Sequence, residues 1–98
     1  MDYRECSKVF KALADPKRLE IVDVLSRGEE CACNIQERFD ITQPTMSHDL
    51  KVLIDANILI VRTEGKWKHY KLNNEFLEEF KNHFSELTRE KKSCNCKK

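Results

Sequence analysis

Residues 42–72 read TQPTMSHDLKVLIDANILIVRTEGKWKHYKL, and their apolar spacing changes period partway along. In the first half Met46, Leu50, Leu53 and Ile54 fall at i, i+4, i+7 and i+8, one face of an α-helix. Thr42 stands before them as a cap, and Pro44 sits in the first turn, where its missing N–H breaks no helical bond. The second half turns β-rich: LIVRTEG and KWKHYKL meet at Gly65, the arrangement of a hairpin. Placing Met46 and Leu50 inward sends Thr45, His48 and Lys51 outward, with Gln43 and Ser47 on the flanks. Such side chains can donate to phosphates and base edges, and Gln43, Thr45 and Ser47 lie near the helix end that usually touches bases. An ordinary solvated helix face carries similar residues, so the hairpin decides. It bears Arg62, Lys66, Lys68 and Lys71 against the single Glu64, a charge pattern suited to a phosphate backbone. Asp49 and Asp55, counted on the reading helix, oppose that charge.

Working outward, Ala32, Ile35 and Phe39 form one face of a short helix, and Asp40 and Ile41 turn the chain towards Thr42. Two short helices, a three-residue turn and a hairpin define the fold class: mainly α with a small β-hairpin, a winged helix-turn-helix. Asp15-Pro16 opens an earlier helix that runs through Ser26, with Leu19, Val22 and Leu25 as its stripe and Ile21 beside them. Gly28 stops it. A first helix carries Tyr3, Cys6, Phe10 and Leu13 at helical spacing. A last helix, capped by Asn73 or Asn74 and running to about residue 91, carries Phe76, Phe80, Phe84 and Leu87. Both terminal helices hold more aromatic surface than so small a domain buries alone. They predict a homodimer formed through the first and last helices.

Ninety-eight residues make one domain with one modest core. The expected division is a DNA-binding and dimerisation domain over 1–92 and a basic, cysteine-containing tail over 93–98. Charged residues make up 36% of the chain, yet the formal net charge is only +1, so binding to a polyanion depends on where the charges sit. MDYRECSKVFKAL at the start is charged from its second residue, and the longest aliphatic run is ILIV at 58–61. The expectation is a cytoplasmic protein without a membrane partner, whose five cysteines stay reduced. Two glycines and two prolines leave no glycine-rich phosphate cradle and no linker. There is no Cys-x-x-Cys, no phosphate-binding cysteine loop and no cofactor motif, which argues against an enzyme.

The cysteines hold the remaining chemistry. Within EECACNIQERFD, residues 29–40, Cys31 and Cys33 would point about 200° apart on a regular helix. On an extended backbone they share a side and can grip one soft ion. Cys31 falls at the helix cap and Cys33 in the first turn, where free N–H groups favour thiolate while Glu29 and Glu30 oppose it. Two small buried hydrophobes are the bland reading of the pair. Cys94 and Cys96 stand in KKSCNCKK, where nothing packs and lysines favour thiolate. Cys6 lies on the first-helix stripe and reads as a core or interface residue.

The segments ADPKRLEIVDVL, GEECACNIQ, TQPTMSHDLKVL and EGKWKHYKL together resemble the ArsR/SmtB family of metal-responsive winged-helix repressors. The Cys-x-Cys before the helix-turn-helix resembles the arsenic-sensing branch. The resemblance implies a homodimer that binds double-stranded operator DNA and leaves it when arsenite or antimonite binds cysteine thiolates. By position it implies base reading by Gln43, Ser47 and His48 and a wing tip at Gly65-Lys66. One departure is Gln36, which stands where that branch carries a third cysteine. The third thiolate would then come from Cys94, Cys96 or Cys6, or the site would hold only two thiolates and suit a methylated arsenical. Cadmium, lead or zinc would want four ligands, for which Cys31, Cys33, Cys94 and Cys96 are available. The zinc-sensing branch uses its last helix. Here His83-x-x-Glu86 is present, but Asn74 and Phe76 occupy the matching early positions, so no zinc site is expected there. A repressor on the same fold that responds to thiol oxidation is the remaining reading.

Overall fold

The computed structural model describes residues 1–92 as five helices and a three-stranded antiparallel sheet. Helix α1 (Tyr3–Leu13) opens on a capping box: the Asp2 carboxylate accepts from the Glu5 N–H, and the Glu5 side chain accepts in return from the Asp2 N–H. Helix α2 (Pro16–Leu25) begins at Asp15, whose carboxylate accepts from the N–H groups of Lys17 and Arg18. Those bonds, the Lys17 one foremost, hold the Asp15 carboxyl below its ordinary range. Strand β1 (Glu30–Cys31) leads directly into α3 (Ala32–Phe39). Asp40 ends α3 in a left-handed conformation at φ 51°, and the Thr42 hydroxyl caps α4 (Gln43–Asp55) by accepting from the Thr45 N–H. Strands β2 (Leu59–Glu64) and β3 (Trp67–Leu72) pair in register from Leu59 opposite Leu72 to Glu64 opposite Trp67. Gly65, at φ 62°, takes the turn position where a side chain would be strained. Asn73 caps α5 (Asn74–Thr88), its side-chain oxygen accepting from the Phe76 N–H.

Val9, Ile21, Ile35, Leu50, Leu53 and Ile58 are fully buried, so α1 to α4 and the approach to β2 meet in one core. On α4 the expected face is in place, with Met46, Leu50 and Leu53 buried and Ile54 at the edge. Asp49 is buried with them at 4% exposure. The Arg18 guanidinium explains this: it donates to Asp49 at 3.2 Å, to the Ala12 carbonyl at 2.7 Å and to the Lys11 carbonyl at 3.5 Å. A charge counted against DNA binding is therefore neutralised inside the bundle.

Two helices are rotated from the expected stripes. Helix α1 turns Cys6, Val9 and Ala12 inward, leaving Tyr3 79% and Phe10 42% exposed. The small residues let α1 approach the bundle closely, and Phe10 is displaced onto α5. There it meets Phe80 and Phe84 edge-on, with centroids 5.3 Å apart in each pair. Helix α2 buries Ile21, Val24 and Leu25 while Leu19 is half exposed. Arg18 reaches inward to Asp49, and that bond fixes the rotation of α2 and carries Leu19 outward. Helix α5 ends at Thr88, with Arg89 extended, short of the expected length.

Candidate DNA-reading face and thiol site

Gln43, Ser47 and His48 project from the first two turns of α4 into solvent, as a base-reading set requires. Thr45 is half-buried, and its oxygen accepts from the Thr42 hydroxyl at 3.0 Å, which makes it part of the helix cap. Lys51 is exposed one turn further on and pairs with Asp55 at 3.3 Å, a surface contact that leaves it free to exchange partners. Lys66 stands exposed at the hairpin tip.

Arg62 is placed differently from a free wing cation. It donates to the two oxygens of Glu29 at 2.8 and 3.2 Å and to Glu64 at 3.2 Å. These bonds raise its pKa above the ordinary arginine value, and the Arg62 hydrogen bond in turn holds the Glu29 carboxyl below the ordinary 4.5. Arg62 thus ties the wing to the segment just ahead of the thiols. The relevant signal was present in the sequence as Glu29, whose charge has no use in a DNA contact.

Cys31 serves two elements at once. It caps α3 with extended backbone (φ −83°, ψ 159°) and ends β1, where it lies opposite His69 of β3. The extended cap turns Cys31 and Cys33 to one side, with Cα atoms 5.5 Å apart. The sequence predicts two reduced thiols; the structure brings the two sulfurs together closely enough to pair as a disulfide or to share one ion. Either state needs the same backbone. Cys31 is half-buried and Cys33 exposed. Strand β1 was missed in the sequence because two residues show no alternation, and it makes the sheet three-stranded with order β1-β3-β2.

Cys33 and Gln36 of α3 open into a cleft of about 370 Å³ shared with Gln43 and Ser47 of α4 and with Lys66 and Lys68 at the hairpin. Trp67, 55% exposed, also lines it. Trp67 was not singled out by the sequence, while Lys68 was read only as part of the wing charge and Gln36 only as the place of a missing cysteine.

Of the other expected ligands, only Cys6 lies among the described residues. Cys6 is free and buried on the α1 core face. Cys94 and Cys96, with the tail 93–98, lie outside the described residues. Among the described residues no three His, Cys, Asp or Glu side chains gather closely enough to hold a metal ion. His83 on α5 is half-buried, with its Nε2 atom without a hydrogen-bond partner. A second cavity of about 420 Å³ runs between α1 and α5, lined by Tyr3, Cys6, Phe10 and Leu87 among others. No described helix is long and apolar enough to cross a membrane.

Known proteins are similar to this chain in sequence and in fold. The chain is 42% identical over 97 residues to an arsenical resistance operon repressor of Staphylococcus xylosus, covering 99% of this chain and 93% of the relative. It is 47% identical over 73 residues to one of Bacillus subtilis, covering 74% and 70% of the two chains. Among solved structures, an ArsR-like transcriptional regulator from Rhodococcus superposes with a TM-score of 0.79 at 22% identity, covering 87% of this chain and 80% of that one. A homodimeric winged helix-turn-helix DNA-binding domain from Mycobacterium bovis superposes with a TM-score of 0.72 at 24% identity, covering 90% and 89%. The profile described as bacterial regulatory protein, arsR family, matches residues 15–61, from the cap of α2 into the wing. With that match and relatives similar along nearly its whole length, the chain belongs to the arsR family of bacterial regulatory proteins.

Proposed function

We propose that the protein is a homodimeric repressor that binds operator DNA through α4 and the wing and is released when trivalent arsenic or antimony binds Cys31 and Cys33. The observation that carries this reading is the extended cap at Cys31, which sets the sulfur of Cys31, at the end of a strand paired to the wing, beside that of Cys33 in the first turn of α3. The names of the staphylococcal and Bacillus relatives supply the regulated process, arsenical resistance. The Mycobacterium neighbour supports the dimer, as does the open apolar cavity between α1 and α5.

The chemistry follows from thiolate softness. Each thiol replaces one hydroxide of arsenite and releases one water, so the reduced pair leaves one hydroxide on arsenic. A further thiol can displace that hydroxide, and Cys94 and Cys96 are the proposed donors. The same four cysteines would be the ligands if cadmium, lead or zinc were the inducer. An ion is held only by the pair in its reduced, thiol form. Base reading is assigned to Gln43, Ser47 and His48, with Lys51 and Lys66 on phosphates. Thr45 and Arg62 support the reading helix and the wing from within the fold.

The test is operator affinity titrated with arsenite, antimonite, cadmium, lead and zinc under reducing conditions. Arsenite or antimonite should weaken binding by about 5- to 150-fold, the range of ordinary allosteric coupling. Cys31→Ser with Cys33→Ser should bind operator as tightly as the parent and ignore the inducer. Loss of operator binding by that variant without any ion present would sink the assignment.

A further inference from the structure

The cleft beside Cys33 has a composition that the inducer site alone does not explain. One wall is the start of the reading helix, at Gln43 and Ser47; the opposite wall is the hairpin, at Lys66 and Lys68. No carboxylate lines it, and neither lysine forms an ion pair with a described residue. A reading helix in the major groove and a wing beside it straddle a stretch of sugar–phosphate backbone. That backbone passes the gap between them, and this cleft is the gap. Its remaining wall is α3, through Cys33 and Gln36.

We propose that the cleft is one subsite with two alternative occupants: a DNA phosphodiester held by Lys66, Lys68 and the Gln36 amide, or the outward side of the arsenical bound at Cys31 and Cys33. This rests on the reading of Cys31 and Cys33 as inducer ligands. Cys31 is half-buried and paired to β3 while Cys33 is exposed into the cleft, so the open side of an ion on the pair faces the phosphate position. Induction then includes direct competition for one space at the DNA surface. Lys68 and Gln36 become backbone-contacting residues, which position the protein on the duplex without reading its sequence.

Iodoacetamide labelling of Cys33, read peptide by peptide on reduced Cys31→Ser protein, tests this. Adding operator duplex should slow labelling in proportion to the fraction of protein left free. A random duplex at low salt should do the same, since a phosphate contact carries no sequence. In parallel, Lys68→Ala should reduce the salt slope of binding by about 1 per subunit, equally on operator and random DNA. Unchanged labelling of Cys33 at saturating operator overturns the shared subsite, as does an unchanged salt slope for Lys68→Ala. Should arsenite release the parent protein from operator while Cys33 stays reactive in the complex, the inducer reading stands and the cleft inference falls. Should DNA shield Cys33 while arsenite releases nothing, the phosphate seat stands and the shared occupancy falls with the inducer reading.

Discussion

Glu29 and Arg62 join two segments 33 positions apart in the chain by two hydrogen bonds, the shorter 2.8 Å. The Glu29 carboxyl titrates below its ordinary 4.5, chiefly through the Arg62 hydrogen bond. Its contribution is therefore complete above pH 4.5 and is lost as pH falls through the lower folded value. Unfolding curves of the parent and Glu29→Gln should accordingly differ at neutral pH and converge in acid; curves equally separated at all pH would remove the ion pair as the cause. The reading residues separate by a different measurement. His48→Ala or Ser47→Ala should weaken operator binding more than random-DNA binding, because base contacts carry the sequence information. Lys66→Ala should weaken both alike and lower the salt slope by about 1 per subunit. Equal losses on both DNAs for His48→Ala would make it a backbone contact.

At the level of elements, what was legible in the sequence followed from how each element is stabilised. Helix α4 and the hairpin announce themselves because their caps, turn glycine and apolar period agree, and their residues fall where the spacing puts them. The rotations of α1 and α2 were hidden because apolar size was taken for burial. In α1 the small Cys6, Val9 and Ala12 are the ones pressed against the core. In α2 the decisive residue is charged. Arg18 joins the end of α1 to the middle of α4, a three-helix contact that no local period shows. Asp49→Ala should leave that guanidinium with two carbonyls and a 3.9 Å contact to Asp15, and lower stability by roughly 3 kcal/mol, near the lower end for breaking a buried pair. Denaturant midpoints measure it; a loss below about 1 kcal/mol, typical of exposed pairs, would place Asp49 effectively in water. The thiol pair was legible as a motif, while its seat on β1 was not, because a strand of two residues exists only through its partner.

For the whole molecule, the proposed dimer would let one small domain read two half-sites. Tyr3, Phe10, Phe84 and Leu87 remain exposed along one side, and Tyr3, Phe10 and Leu87 border the cavity between α1 and α5. A second copy on that side would place two reading helices on successive major grooves, about 34 Å apart along the duplex. Tyr3→Glu with Leu87→Glu should leave the circular dichroism of the fold intact, sediment as monomer and lose affinity for the paired half-sites. A variant that still sediments as dimer would move the interface elsewhere. Two of the side chains involved, Phe10 and Phe84, also pack on each other within the chain, so Tyr3 and Leu87 are the cleaner choices.

The brevity of β1 has one more consequence, for the order in which the molecule comes apart. Glu30 and Cys31 are held by pairing with Tyr70 and His69, while the surrounding helices are anchored by fully buried side chains. Native proteins open first where few buried contacts hold a segment, at free energies well below that of global unfolding. The amide protons of Glu30 and Cys31 should therefore exchange ahead of those of α4, which native-state hydrogen exchange would read. Such opening would bear on the half-buried Cys31, since Cys33 is already exposed.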